Sequence, residues 1–210
     1  MNILGIDEAG RGPVIGPLVV AGVIIPDEKL KILERMGVRD SKRLTENRRT
    51  ILSRKLKNMF DYEIVEISAK DIDDLRSKEI NLNKIERMAI VKIIDKIAIE
   101  HDFDLAIIDS LDIKPERLKY QLEFEVSDDI EIIAEHKADD NYLQVAAASI
   151  IAKNRRDEEI KKLKKEYRKI GDIGSGYPSD PKTKEFLTNF SFDEMPEIVR
   201  RSWKTVTKMK

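Results

Sequence analysis

Five short apolar runs punctuate the chain, each closed by a turn residue or by a carboxylate. Ile3-Leu4-Gly5-Ile6 stops at Asp7-Glu8, and Leu18 to Ile25 runs uninterrupted to Pro26. Tyr62 to Ile67 alternates in part, as a strand near a sheet edge does. Leu105 to Ile108 stops at Asp109, and Glu131 to Ala134 leads through Glu135-His136-Lys137-Ala138 into Asp139-Asp140. Runs of this length, rich in branched residues, predict strands. The connection between the first two carries Gly12, Pro13, Gly16 and Pro17, which predicts an antiparallel pair.

Between these runs the apolar positions recur at helical spacing. Asp27 to Met36 reads as a short helix closed by Gly37, followed by a polar loop, Asp40-Ser41-Lys42-Arg43. Thr45 is placed to cap a second helix that buries Ile51, Leu52, Leu56 and Met59. A short piece follows near Asp71 to Arg76. Asn83 to Glu100 is a longer helix, opened by Asn-x-x-Glu and turning Ile85, Met88, Ala89, Ile93 and Ile97 inward. Lys114 to Phe124 is another. From Asp140 onward a helix begins small and apolar, Val145 to Lys153, then turns basic. Ile160, Leu163, Tyr167 and Ile170 keep one stripe while Lys161, Lys162, Lys164, Lys165 and Lys169 crowd the rest. After the break at Gly174-Ser175-Gly176-Tyr177-Pro178, short helices are expected over Pro181 to Leu187 and Asp193 to Trp203.

The order of elements predicts an α/β fold with carboxylates at the ends of strands one, four and five. In such a sheet the functional edge gathers strand ends into one crevice, so Asp7, Glu8, Asp109 and Asp139 are expected to converge there. Glu8 poses a difficulty, because adjacent strand residues face opposite ways. It is resolved here by placing Glu8 beyond the regular strand, where Ala9 and Gly10 let the backbone twist. Gly10-Arg11-Gly12 with Gly16 does not make a dinucleotide loop: the spacing is wrong, and a strand follows where a helix is needed.

Composition narrows the chemistry. The 210 residues include no cysteine and only two histidines, His101 and His136. Thiolate sites and cysteine nucleophiles are therefore excluded, and hydrolysis has to rest on carboxylates with hard divalent cations. Clustered carboxylates need such neutralisation, and two cations about 4 Å apart suit in-line phosphoryl chemistry. The net charge of −1 hides an asymmetry: residues 151–210 carry 16 Lys+Arg against 10 Asp+Glu, leaving 23 against 30 for residues 1–150. A basic C-terminal part beside an acidic body suits an anionic polymer. No run reaches the roughly 18 apolar residues of a membrane span, and no secretory layout opens the chain, so a soluble, cytoplasmic protein with no membrane partner is expected.

Five blocks in order then carry a resemblance. Asp7-Glu8-Ala9-Gly10-Arg11-Gly12, Asp40-Ser41-Lys42, Ile108-Asp109-Ser110, Lys137-Ala138-Asp139 with Ala147 to Lys153, and Gly174 to Pro178 together resemble type 2 ribonuclease H, ribonuclease HII, of the archaeal kind. The likeness covers about residues 3 to 182. It implies a ribonuclease H-like fold, a five-stranded mixed sheet flanked by helices with a C-terminal helical extension. Residues 1–170 would form the catalytic domain, and 171–210 an extension involved in substrate binding.

The resemblance also implies an endoribonuclease using two Mg²⁺ or Mn²⁺ ions. Its substrates would be RNA/DNA hybrids and DNA duplexes containing ribonucleotides, cut 5′ of the ribonucleotide to leave 3′-hydroxyl and 5′-phosphate ends. The catalytic and metal-binding carboxylates fall on Asp7, Glu8, Asp109 and Asp139, with Asp140 as the competitor for the last. Substrate contacts fall on Gly10, Arg11, Gly12, Lys42 and Tyr177. In that family the glycine-arginine-glycine turn and the tyrosine sense the RNA-to-DNA junction. His136 is read as structural, Asp112 as a turn residue, and Trp203, Phe186, Phe190 and Phe192 as C-terminal core. No apolar stripe is left over for a dimer, so a monomer is expected.

Overall fold

A computed structural model of the chain describes residues 1–110, 112–126 and 130–210. The side chain of Asp40, in the Asp40-Ser41-Lys42 block, lies outside what is described. Five strands form one mixed sheet in the order β3-β2-β1-β4-β5: β1 Asn2–Ala9, β2 Leu18–Pro26, β3 Tyr62–Ile67, β4 Leu105–Asp109 and β5 Glu131–Glu135. β1 pairs antiparallel with β2 and parallel with β4, and β4 runs parallel to β5. The predicted edge position of β3 and the antiparallel first pair are both present.

Helices fill the connections: α1 Leu30–Met36, α2 Glu46–Met59, α3 Ala69–Ser77, α4 Leu82–Glu100, α5 Pro115–Glu125, α6 Ala138–Asn141, α7 Leu143–Glu166, α8 Pro181–Leu187 and α9 Lys204–Thr207. Local chemistry sets several boundaries. Gly37, at φ 78°, closes α1, and the Thr45 hydroxyl accepts from Arg48 N to cap α2. Ser68 caps α3 in the same way. At the start of α4 the side chain accepting from Lys84 N is that of Asn81, two residues earlier than the expected cap.

By compactness the chain divides into two units. The first comprises Met1–Ala9, Val19–Val65 and Glu86–Asn154. Its core packs Val19, Ala21, Val23 and Ile25 of the sheet with Leu52 and Leu56 of α2 and with Ala146, Ala147, Ala148, Ile150, Ile151 and Ala152 of α7. α2 buries only part of its expected stripe: Ile51 and Met59 are exposed, as is Met88 of α4. The faces these helices bury are narrower than their apolar patterns, so two positions of the α2 stripe and one of the α4 stripe stay in water.

The second unit comprises Gly10–Leu18, Glu66–Ile85 and Arg155–Lys210. It differs from an extension limited to 171–210, because segments far apart in sequence share its core. Val14 and Ile15 pack with Ile160, Ile173, Phe186, Leu187, Met195, Val199 and Val206, with Leu163, Tyr167, Phe190, Phe192 and Trp203 against them. The aromatic core assignment is thus present, whereas Ile170 is exposed. The helix expected over 193–203 is replaced by turns and an isolated bridge, Ile15 with Val199. Pro196 lacks the amide a helix needs, and Arg200 N donates to Val14 O at 2.8 Å, so this backbone pairs with residues 14–16 rather than with itself.

Candidate active site

Three carboxylates on separate elements meet in the first unit. Asp7 near the end of β1, Asp109 at the end of β4 and Asp139 in α6 each bring one oxygen within 4.8 Å of the others. Parallel pairing sets the C-terminal ends of β1 and β4 side by side. The turn after β5 returns the chain to them through Lys137, held left-handed at φ 59°. Ala138 N then donates to Asp109 Oδ1 at 3.1 Å, tying the start of α6 to the end of β4. Asp139 is buried at 4% exposure, while its neighbour Asp140 is half-exposed. The geometry therefore draws Asp139 into the cluster and leaves Asp140 outside it.

The cluster is electrostatically costly as it stands. Burial pushes the Asp7 carboxyl up to about 7, with Asp109 adding to the rise; the Ser149 hydroxyl, Lys153 and the Glu8 amide oppose it. The last of these is a hydrogen bond of 2.8 Å from Glu8 N to Asp7 Oδ1. Burial also raises Asp109, against the pull of the Ala138 amide and with a further rise from Asp139. Carboxyls that hold protons this firmly are those a cation would relieve. The donor set is all oxygen, which fits Mg²⁺ or Mn²⁺ and not a soft metal.

Two predictions arise here. Saturating Mg²⁺ or Mn²⁺ should raise the melting temperature: a ligand at 100 times its Kd adds about 2.7 kcal/mol, or roughly 5 °C or more for a chain of this size. Melting curves that coincide with and without metal would speak against a preformed cluster. The second concerns pH in the absence of metal. Asp7 has a higher pKa folded than unfolded, so its contribution is fully present below the unfolded value of 3.8 and is lost as pH rises through about 7. Asp7→Asn should flatten that decline in melting temperature. An undiminished decline in the variant would trace the pH dependence to other groups.

Glu8 is not where the sequence reading put it. It lies within β1, paired with Val20, rather than beyond the strand. Strand alternation sends the two side chains off opposite faces, yet the Glu8 carboxyl stays within hydrogen-bond reach of the Asp7 side chain. A Cβ on Gly5 would press on the α7 backbone at Gln144, so Gly5 and Asp7 face α7, and Asp7 meets Ser149 there. Leu4 and Ile6 lie on the other face, near Ile93 of α4, and Glu8 follows them toward Glu86. Glu8 stands outside the three-carboxylate group, yet its pKa is raised well above the ordinary value by burial first and then by Asp7, Glu86 and Asp109. The sequence assigns neither Glu86 nor Ser149 a place at the site: Glu86 reads as a helix-start residue, and Ser149 as one small residue of the Ala147 to Lys153 block.

Lys42 lies in a 3-10 helix, Val38–Arg43, rather than an irregular loop. Its ammonium donates to Asp139 Oδ1 at 3.1 Å and to Asp140 Oδ1 at 2.7 Å, and the side chain is half-exposed. His136 Nδ1 lies 2.8 Å from Ser110 O, a structural contact. Asp112 is buried and binds the Arg117 guanidinium through both oxygens, more than a turn residue needs.

The glycine-rich turn and Tyr177 belong to the second unit. There the three carbonyls of Gly10-Arg11-Gly12 are engaged by C-terminal side chains. Fully buried Arg200 donates to Gly10 O at 2.6 Å and to Arg11 O at 3.1 Å, and also to Gly16 O. Trp203 Nε1 donates to Gly12 O at 3.1 Å, and its ring lies 4.7 Å from the Arg200 guanidinium. Arg11 donates to Asn83 Oδ1 at 2.6 Å. Gly10 holds φ 92°, and a Cβ on Gly12 would lie 3.5 Å from the partly exposed Tyr177 ring. Nothing in the sequence marks Arg200, because an arginine in a basic C-terminal stretch reads as solvated.

Known proteins of one family are similar to this chain over its length. The family model described as Ribonuclease HII matches residues 4–206. A protein named Ribonuclease HII from Methanobrevibacter smithii is 60% identical over 210 residues, covering 100% of this chain and 99% of its own length. Another of that name from Methanothermobacter thermautotrophicus is 57% identical, covering 100% of both chains. The crystal structure of the ribonuclease H2 from Pyrococcus horikoshii OT3 superposes with a TM-score of 0.90 at 40% identity, covering 100% of this chain and 97% of that one.

Proposed function

Since this chain belongs to the ribonuclease HII family, we propose that it is a metal-dependent endoribonuclease acting on the RNA strand of RNA/DNA hybrids. We extend the reading to ribonucleotides embedded in duplex DNA, cut on their 5′ side to leave 3′-hydroxyl and 5′-phosphate ends. The observation that carries it is the meeting of Asp7, Asp109 and Asp139 within 4.8 Å, an all-oxygen set in a chain without cysteine. Two bound Mg²⁺ or Mn²⁺ ions would supply an activated water and neutralise charge on the scissile phosphate.

Asp7, Asp109 and Asp139 would hold those ions, with Glu8 completing the set. Ser149 and Lys153 lower the cost of ionising Asp7. Lys42, now bonded to Asp139 and Asp140, carries an exposed ammonium able to turn to a substrate phosphate. No histidine base is needed, in keeping with His136 being occupied by Ser110 O. The exposed Lys161, Lys164, Lys165 and Lys169 supply a sequence-independent attraction for the duplex backbone.

Only the 2′-hydroxyl marks a ribonucleotide in a DNA strand. The Gly10-Arg11-Gly12 turn lets backbone approach that hydroxyl without a Cβ in the way, and the exposed face of Tyr177 offers a ring to the adjoining sugar. Tyr177→Ala should therefore lose about tenfold more kcat/KM on a single embedded ribonucleotide than on a continuous hybrid. Equal losses on both would remove Tyr177 from junction sensing. The function itself is tested with three labelled duplexes: one with a lone ribonucleotide, one RNA/DNA hybrid and one plain DNA, each with Mg²⁺ or Mn²⁺. Cleavage of plain DNA, or cleavage without metal, would reject the proposal.

A further inference from the structure

We propose that Arg156 is a positioning residue that holds Tyr177 against the Gly10-Arg11-Gly12 turn and thereby sets how strongly the enzyme separates an isolated ribonucleotide from a continuous RNA strand. The inference rests on Tyr177 acting as the junction sensor, and it adds a residue to which no role has yet been given. Arg156 lies on α7 and is 8% exposed, an unusual burial for an arginine. No carboxylate hydrogen-bonds it among the described residues, and its Nε meets no acceptor among them. Packing alone would be better served by an apolar side chain of similar length, because burying a cation with no carboxylate hydrogen-bonded to it opposes folding, even with Asp157 near enough to favour the charge.

The surroundings of the guanidinium give it a task instead. It lies 5.4 Å from the centroid of the Tyr177 ring, a cation-π contact on one face of that ring. Nη2 donates to Ser175 O at 3.3 Å, two residues before the tyrosine. On the side of the turn, a Cβ on Gly10 would lie only 2.8 Å from Arg156 Cδ and 2.9 Å from Nε. A Cβ on Gly176 would lie 3.4 Å from Nη2. One rigid, planar group is thus in contact with both the first residue of the turn and the loop that carries the ring. The two loops are further joined by backbone, since Val14 N donates to Gly176 O at 2.7 Å and Ile15 N at 3.1 Å. These bonds fix the loop's backbone but leave the tyrosine ring to rotate about its side-chain torsions, which the flat guanidinium beneath it restricts.

A double-mutant cycle tests this in the full-length, metal-loaded protein. kcat/KM is measured on a duplex with one embedded ribonucleotide and on a continuous hybrid, for Arg156→Met, Tyr177→Ala and the pair together. Arg156→Met should lose about tenfold more on the single ribonucleotide than on the hybrid, and in the Tyr177→Ala background that extra loss should shrink below about twofold. A purely structural role predicts losses that multiply. Melting curves establish folding, and Arg156→Lys, which keeps the charge and stem but not the plane, replaces Arg156→Met in the cycle if the latter does not fold. Parental selectivity in a folded Arg156 variant would overturn the proposal, as would a loss that persists in full without the tyrosine ring. If Tyr177→Ala alone loses equally on both duplexes, junction sensing falls. The cycle then still decides, on either duplex, whether Arg156 acts through Tyr177.

Discussion

Asp109→Asn is expected to reduce hydrolysis by at least about 1,000-fold, because a carboxylate that places a catalytic cation is worth several kcal/mol of transition-state stabilisation. The substitution is chosen for what it preserves. The asparagine carbonyl can still accept from Ala138 N, the bond that anchors α6 to β4, so Asp139 should keep its place. What it removes is one of three clustered carboxylates, Asp7 and Asp139 buried and Asp109 partly so. Metal-free protein should accordingly melt no lower than the parent, and the metal-induced rise in melting temperature should shrink. Rates come from the hybrid cleavage assay and stability from thermal melts on the same preparations. A variant retaining more than about a tenth of the parental rate would take Asp109 out of the metal-binding set.

Gly5→Ala is expected to be the most damaging single change to the fold, costing more than about 3 kcal/mol, at the upper end for overpacking a core. Gly5 lies in β1, the central strand, paired with Val23 on one side and Ile107 on the other. A Cβ there would lie 2.3 Å from Gln144 C, 2.4 Å from Gln144 O and 2.6 Å from Val145 N. All three are backbone atoms of α7, so no rotamer change makes room. The helix would have to move away from the sheet, opening the layer of Ala146, Ala147 and Ala148 that packs at its start. Ser149 would move with it and lose its hold on Asp7. For a chain of this size the melting temperature should fall by about 10 °C. A melting temperature within about 2 °C of the parent would mean that the close approach of β1 and α7 is not needed for stability.

The same close approach shows where sequence reading stops. Period and punctuation were enough for the strands and their order of types, because a buried strand is a short apolar run whatever surrounds it. Caps at Thr45 and Gly37 were legible for the same reason: each satisfies helix-end groups within a few residues of itself. The carboxylates stood out as charges directly after apolar runs, which local packing does not call for. Exposure of Ile51, Met59 and Met88 was not legible, since the apolar side of a helix says which face can be buried and not how much of it a neighbour covers.

By itself, then, the sequence determined the element types, the motif blocks and, through them, the family and the residues that could do its chemistry. Tertiary structure alone decided how those residues are used. It put Glu8 inside β1, its side chain leaving the strand toward Glu86 while staying within hydrogen-bond reach of Asp7, because pairing with Val20 continues the strand farther than the acidic pair suggested. It turned 193–203 away from helix, because Val199 and Arg200 find backbone partners in residues 14–16, and a contact across so long a stretch of chain leaves no local period. It also buried Arg156 and Arg200, which read in sequence as two more surface charges. Their guanidiniums meet backbone and ring partners that only the folded chain assembles, and those partners, rather than any local pattern, make burial of the charge tolerable.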